Sequence, residues 1–296
     1  MKRRAIFLIG VAAALCWLGL TVFMYQFSSH TESQEVTVID AKAGKITIFT
    51  SILPQEYFAE RIGGDRVEVQ ALVTPGSSPA TYEPTPRQMA TLSEAKLFFR
   101  IGVPFENAFV PKIEGATEGL RIINTRAGIT LRGNDPHIWL SPRLVKVQAR
   151  TIAEALIEAD PTGKGTYEEN LAAFLKDLDA LDTDLAEALA PVKGKTFMVF
   201  HPAWGYLADA YGLRQEPIEF EGKEPSGQQL ARMIEKARDE GVRVIFVQPQ
   251  FDMGSAERIA EAIGGVVVPI DPLARDYVGN LQRVAATIRE ALQKQE

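Results

Sequence analysis

Seven short apolar runs punctuate the chain from Lys45 onward, and their form limits the fold more than any other feature. They cover residues 45–49, 67–73, 96–101, 120–124, 196–200, 242–247 and 266–270. Each is nearly continuous in apolar or β-branched residues rather than alternating with polar ones. A strand reads this way when helices cover both faces of its sheet, which is the situation in parallel α/β layers. Helical patterns fill the intervals between the runs, so the expected class is α/β with mostly parallel sheets.

One interval differs from the rest. Tyr167, Leu171, Phe174, Leu175, Leu178, Leu181, Leu185 and Leu189 recur at spacings of three and four, which predicts one amphipathic helix over 166–190. Thr166 and Glu169 have the spacing of a capping box, and Pro191 stands just past the end. This helix divides the strand-bearing chain into a first part, 45–165, and a second, 191–296. Two lobes joined by a linking helix is the expected arrangement, and a long helix within a single domain is the alternative.

The N-terminus stands apart from this pattern. Lys2, Arg3 and Arg4 precede an apolar run, 5–27, without a formal charge. A bilayer-crossing helix needs about 20 such residues. The three cations favour a cytoplasmic N-terminus, which puts the remainder outside the cytoplasm. No A-x-A-like cleavage site follows Phe27, so an uncleaved membrane anchor is expected, with a cleaved signal segment as the alternative. Residues 28–44 are polar and mixed and read as a linker, with His30 solvated and idle. Cys16 is the only cysteine, so no intramolecular disulfide forms, and Leu15 before it argues against lipid attachment. A net charge of −6 gives no basic face on average and argues against a nucleic-acid partner.

Few residues remain to carry chemistry. Outside the linker the histidines are His137, in NDPHIWL, and His201, in FMVFHPAWGYLADAYG. His201 directly follows an apolar run, His137 follows a turn-rich approach, and Asp271 closes the run 266–270. Polar residues at the carboxyl ends of strands in open α/β sheets face the ligand crevice. Two imidazoles and one carboxylate suit a borderline or hard divalent cation. The competing reading is a hydrogen-bonded histidine at each strand end and an aspartate capping the next helix. There is no P-loop, no G-x-G-x-x-G, no H-E-x-x-H and no G-x-S-x-G. Ser226 and Gln229 form a second capping box, for a helix running to about Asp239.

Five segments in order carry a resemblance: LVTPGSSPATYEPTPRQMATLSEAKLFFRIGVPFE, NDPHIWLSP, FHPAWGYLADAYGL, EGKEPSGQQL and PIDPLARDYVGN. Together they resemble the metal-binding receptors of ABC importers that take up zinc or manganese. The resemblance covers nearly all of the chain after Lys45. It implies two α/β lobes, each with a mostly parallel sheet flanked by helices, joined by a rigid linking helix, with the metal in the cleft between them. It puts His137 and His201 on metal-ligand positions and Asp271 on the acidic ligand position. It also implies a non-enzymatic monomer that delivers zinc, or less readily manganese, to an ABC permease.

The first segment departs from the family pattern. Where members that bind metal usually carry a histidine directly after the proline, this chain has Ala80 after Pro79. The histidine-rich loop of many zinc receptors is absent as well, since no histidine lies between Ala80 and His137. Water, or one of Glu219, Glu221 and Glu224, is then the expected fourth donor. A divergent member that has lost metal binding and serves as an interaction module is the alternative that Ala80 favours. A metallohydrolase with an activated water at the open position is set aside, because no motif supplies a base.

Overall fold

The computed structural model describes residues 44–219, 225–251 and 253–294. The apolar run 5–27, almost all of the linker 28–44, Glu221 and Glu224 lie outside the described residues. Among the described residues no helix is long and apolar enough to cross a membrane.

Two four-stranded parallel sheets organise the chain. The first is built from β1 (Ile46–Thr50), β2 (Val67–Ala71), β3 (Leu97–Arg100) and β4 (Arg121–Asn124) in the order β2-β1-β3-β4. Helices α1 (Leu53–Gly63), α2 (Pro86–Leu92) and α3 (Glu106–Glu114) connect these strands. Ile48 and Phe49 of β1 and Leu97, Phe98 and Phe99 of β3 are all fully buried, so the central strands are covered on both faces. That is why their sequences run apolar without alternation.

The second sheet repeats the design. Its strands β5 (Thr196–Val199), β6 (Arg214–Pro217), β7 (Val244–Val247) and β8 (Val266–Pro269) run in the order β6-β5-β7-β8. Its connecting helices are α6 (Gly205–Tyr211), α7 (Gly227–Asp239) and α8 (Gly254–Ile263). In both sheets the strand order reverses between the first strand and the third. That reversal opens a crevice at the carboxyl ends, where ligands bind in open α/β folds.

Helices α4 (Pro142–Ala159) and α5 (Lys164–Leu189) lie between the sheets in sequence. The linking helix α5 has 26 residues and runs about 39 Å. It buries Tyr167, Phe174, Leu178, Leu181, Leu185 and Leu189, the stripe expected from the spacing. Its start differs from expectation. The 3-10 turn Pro161–Gly163 leads directly into the helix with Gly163 as N-cap and no side-chain cap bond, so Thr166 is already inside the first turn. The second capping box is realised: the Ser226 hydroxyl accepts from the Gln229 amide and the Gln229 side chain accepts from the Ser226 amide.

A single apolar core runs through both sheets and the linking helix, and includes Phe49, Phe98, Leu178, Leu185, Phe197 and Phe246. A smaller core around Met198, Phe200, Ile245 and Ile259 also belongs to the second sheet. The last helix, α9 (Tyr277–Gln293), returns to α1: the Tyr277 ring packs edge-on to Phe58 at 4.9 Å. Just before it, Arg275 pairs with Glu56 and Glu60 of α1. These contacts bring the loops at the carboxyl ends of both sheets around one cleft.

Candidate metal centre

His201 lies two residues past β5, at the crevice between β5 and β7. Its backbone is held by Gln248, the residue after β7, whose side chain is fully buried. The His201 amide donates to Gln248 Oε1 at 3.1 Å, and Gln248 Nε2 donates to the His201 carbonyl at 2.8 Å. This side-chain amide extends the β5–β7 ladder by one step and fixes where the imidazole emerges. Phe251 stacks on the ring with centroids 4.8 Å apart. Behind it, buried Glu219 places Oε2 2.5 Å from His201 Nδ1.

His137 comes from the long connection after β4 and precedes the 3-10 turn Ile138–Leu140. Asp135 organises it twice. Asp135 Oδ1 accepts from the His137 amide at 3.0 Å and lies 2.7 Å from His137 Nδ1. Trp139 packs beside the imidazole and anchors the segment, because its Nε1 donates to the Pro272 carbonyl at 2.7 Å. Across the cleft, the Tyr206 hydroxyl donates to the Asp135 carbonyl and accepts from the Arg132 amide, both at 2.9 Å. Arg132 continues to Asp209 on α6. A Cβ on Gly205 would stand 1.7 Å from Arg132 Nη1, so any larger residue there would displace the guanidinium from this position.

The two imidazoles meet across the cleft with their Nε2 atoms 3.3 Å apart. Each Nδ1 faces a carboxylate, which accepts but does not donate, so the proton belongs on Nδ1 in both rings. Both Nε2 lone pairs are then directed at one shared region. This carboxylate–histidine pairing fixes tautomer and ring orientation for a metal. Two ligands 2.0–2.1 Å from one tetrahedral ion lie about 3.3–3.4 Å from each other. Burial holds the His137 pKa below the ordinary 6.5, with the Asp135 hydrogen bond acting in the opposite direction, so the neutral ring that a metal needs is favoured.

Asp271 is turned elsewhere. Its Oδ1 accepts from the Leu273 amide at 2.9 Å and from Gln250 Nε2 at 2.8 Å. It lines a cavity of about 220 Å³ with Thr74, Gly76 and Arg275. The histidines line a neighbouring cavity of about 130 Å³ with Ala80, Val103, Pro104, Trp139 and Phe251, and Gln250 and Leu273 form part of both walls. Among the described residues no group of three or more His, Cys, Asp or Glu side chains is arranged to hold a metal ion. Nor does Asp271 cap the following helix, since Asp276 does so by accepting from the Gly279 amide. Glu219, one of the expected substitutes for a missing ligand, is engaged behind His201. Sequence reasoning missed Asp135 and Gln248 altogether. Asp135 left a local signal, an aspartate two residues before the histidine, whereas Gln248 meets His201 only through strand pairing.

The family of the zinc-uptake complex component A, periplasmic, matches residues 48–291. The chain belongs to this family. Membership identifies it as an extracytoplasmic substrate-binding component of a transport system and not as an enzyme. The high-affinity zinc uptake system protein ZnuA of Bacillus subtilis is 29% identical over 274 residues, covering 84% of this chain and 86% of that protein. The manganese ABC transporter substrate-binding lipoprotein PsaA of Streptococcus pneumoniae is 30% identical over 227 residues, covering 70% of this chain and 73% of that protein. A crystal structure of ZnuA superposes with a TM-score of 0.81 at 45% identity, covering 84% of this chain and 99% of the other. A ZnuA deletion mutant with zinc bound gives a TM-score of 0.79 at 46% identity, covering 83% and 98%. The two-lobed fold with a linking helix is that of the family.

Proposed function

We propose that this protein captures a divalent cation, zinc ahead of manganese, in the cleft between its lobes and delivers it to an ABC permease, with His137 and His201 as nitrogen ligands. The observation that carries the reading is the 3.3 Å approach of the two Nε2 atoms, each imidazole backed by a carboxylate on Nδ1. Zinc suits two imidazoles in a tetrahedral set, whereas manganese favours more oxygen donors. Asp271 is the proposed oxygen ligand. Its Oδ1 accepts from Gln250 Nε2 and the Leu273 amide in this structure, so the carboxylate reaches the ion either through Oδ2 or by turning away from these partners. Residues 5–27 are proposed to tether the protein to the membrane. A mature chain beginning near residue 28 in a mass spectrum contradicts that part.

Calorimetric titration of the chelator-stripped protein with zinc tests the ligand assignment. His137→Ala and His201→Ala are each expected to lower affinity by about 100-fold or more, beyond what loss of an outer-shell partner costs. Unchanged affinity in either variant removes that histidine from the site.

A further inference from the structure

Accepting the metal reading above, the cavity beside the histidines says something about the form in which the ion arrives. Two imidazoles supply two donors, and Asp271, if recruited, a third. A tetrahedral ion needs four. A water on the ion would find one buried acceptor in the wall, Gln250 Oε1, which has no partner of its own, and the part-buried Ser78. The rest of the wall near the histidines is mainly Ala80, Val103, Pro104, Trp139, Phe251 and Leu273, which a water cannot use. The cavity measures about 130 Å³. An apolar cavity of roughly 150 Å³ holds one benzene-sized ring. Trp139, beside His137, and Phe251, stacked on His201, both line the cavity and give it aromatic carbon to pack against such a ring. Ala80 is exposed, so it stands at the mouth and leaves an entrance from solvent.

We propose that the cargo is a metal complex rather than a bare ion: the cation is bound together with a small aromatic nitrogen base, of the imidazole class, whose ring occupies the cavity next to Ala80 and whose nitrogen completes the coordination. The ring gains the contact area that water forfeits, and a borderline cation such as zinc accepts a further nitrogen donor readily. The base and the ion then select each other, since neither fills the site alone.

Zinc binding to the full chain at buffered free zinc, with and without imidazole, tests this. Because the base binds the loaded site, the zinc midpoint is expected to move about tenfold lower once imidazole reaches ~10 times its own dissociation constant. Two substitutions at the exposed Ala80 locate the effect. Ala80→Phe fills the cavity without a donor, so zinc alone still binds and the imidazole shift disappears. Ala80→His supplies the donor from the chain, so zinc alone binds at the midpoint that the unmodified protein reaches with imidazole, and imidazole adds nothing. Zinc binding that is intact but indifferent to imidazole overturns the inference and leaves the metal-capture reading standing. A shift that survives in Ala80→Phe overturns the assignment of the cavity. Failure to bind zinc under either condition refutes the metal-capture reading itself.

Discussion

Asp135 and Glu219 decide what the two imidazoles can do. A histidine with both nitrogens free presents either tautomer, but a carboxylate on Nδ1 leaves Nε2 as the only acceptor. Asp135→Asn and Glu219→Gln should therefore keep the fold and lower zinc affinity by about 10- to 100-fold, read by competition with a chelating dye. An affinity equal to that of the unmodified protein contradicts the tautomer argument. His137 also makes stability depend on pH. Burial lowers its pKa in the folded chain below 6.5, so the unfolded chain takes up a proton that the folded one resists. The stabilisation from His137 is complete above 6.5 and is lost as pH falls below it. Denaturant unfolding of the metal-free protein should show that decline, and His137→Ala should flatten it. The two histidines were legible in the sequence because so few residues of their kind are present and both follow strand or turn signals. The orientation of Asp271 was not, because its carboxylate is held jointly by the nearby Leu273 amide and by Gln250, which meets it only through the fold.

At the scale of elements, the expected strands are present, because a buried parallel strand leaves a continuous apolar trace. β6 left none. Its sequence, RQEP, is polar and none of its residues is fully buried; at the edge of the sheet, paired only with β5, the strand tolerates this, although the opposite edge strand, β8, is apolar. The linking helix was readable from its apolar stripe but its start was not, since a 3-10 turn extends it before the threonine that has capping spacing. Leu178 is fully buried on that helix, and Leu178→Ala should destabilise the protein by about 2–5 kcal/mol in equilibrium unfolding. Gly265, just before β8, would place a Cβ 2.5 Å from the Arg243 carbonyl oxygen. Backbone cannot move aside as a flexible side chain does, so Gly265→Ala is expected to cost about 1–3 kcal/mol by the same measurement.

Taken as one molecule, the protein has a common apolar core through both sheets and the linking helix, together with three crossings that brace the cleft. These are Trp139 to Pro272, Tyr206 to Asp135, and Arg275 to Glu56 and Glu60. A wide hinge opening would break that core. Small-angle scattering with and without zinc should then give the same radius of gyration within error, and a marked contraction on loading contradicts the braced arrangement. If the scattering result holds, binding and release are expected to act through the loops that carry Ala80, His137 and Gln250. The rival reading of a metal-free interaction module is not favoured by the relatives, which include zinc- and manganese-binding components of transporters. Zinc-edge X-ray absorption on the loaded protein tests the central claim most directly. It should show imidazole nitrogens at about 2.0–2.1 Å, with one fewer in His201→Ala. A spectrum without imidazole scattering, or one unchanged when both histidines are replaced, contradicts it.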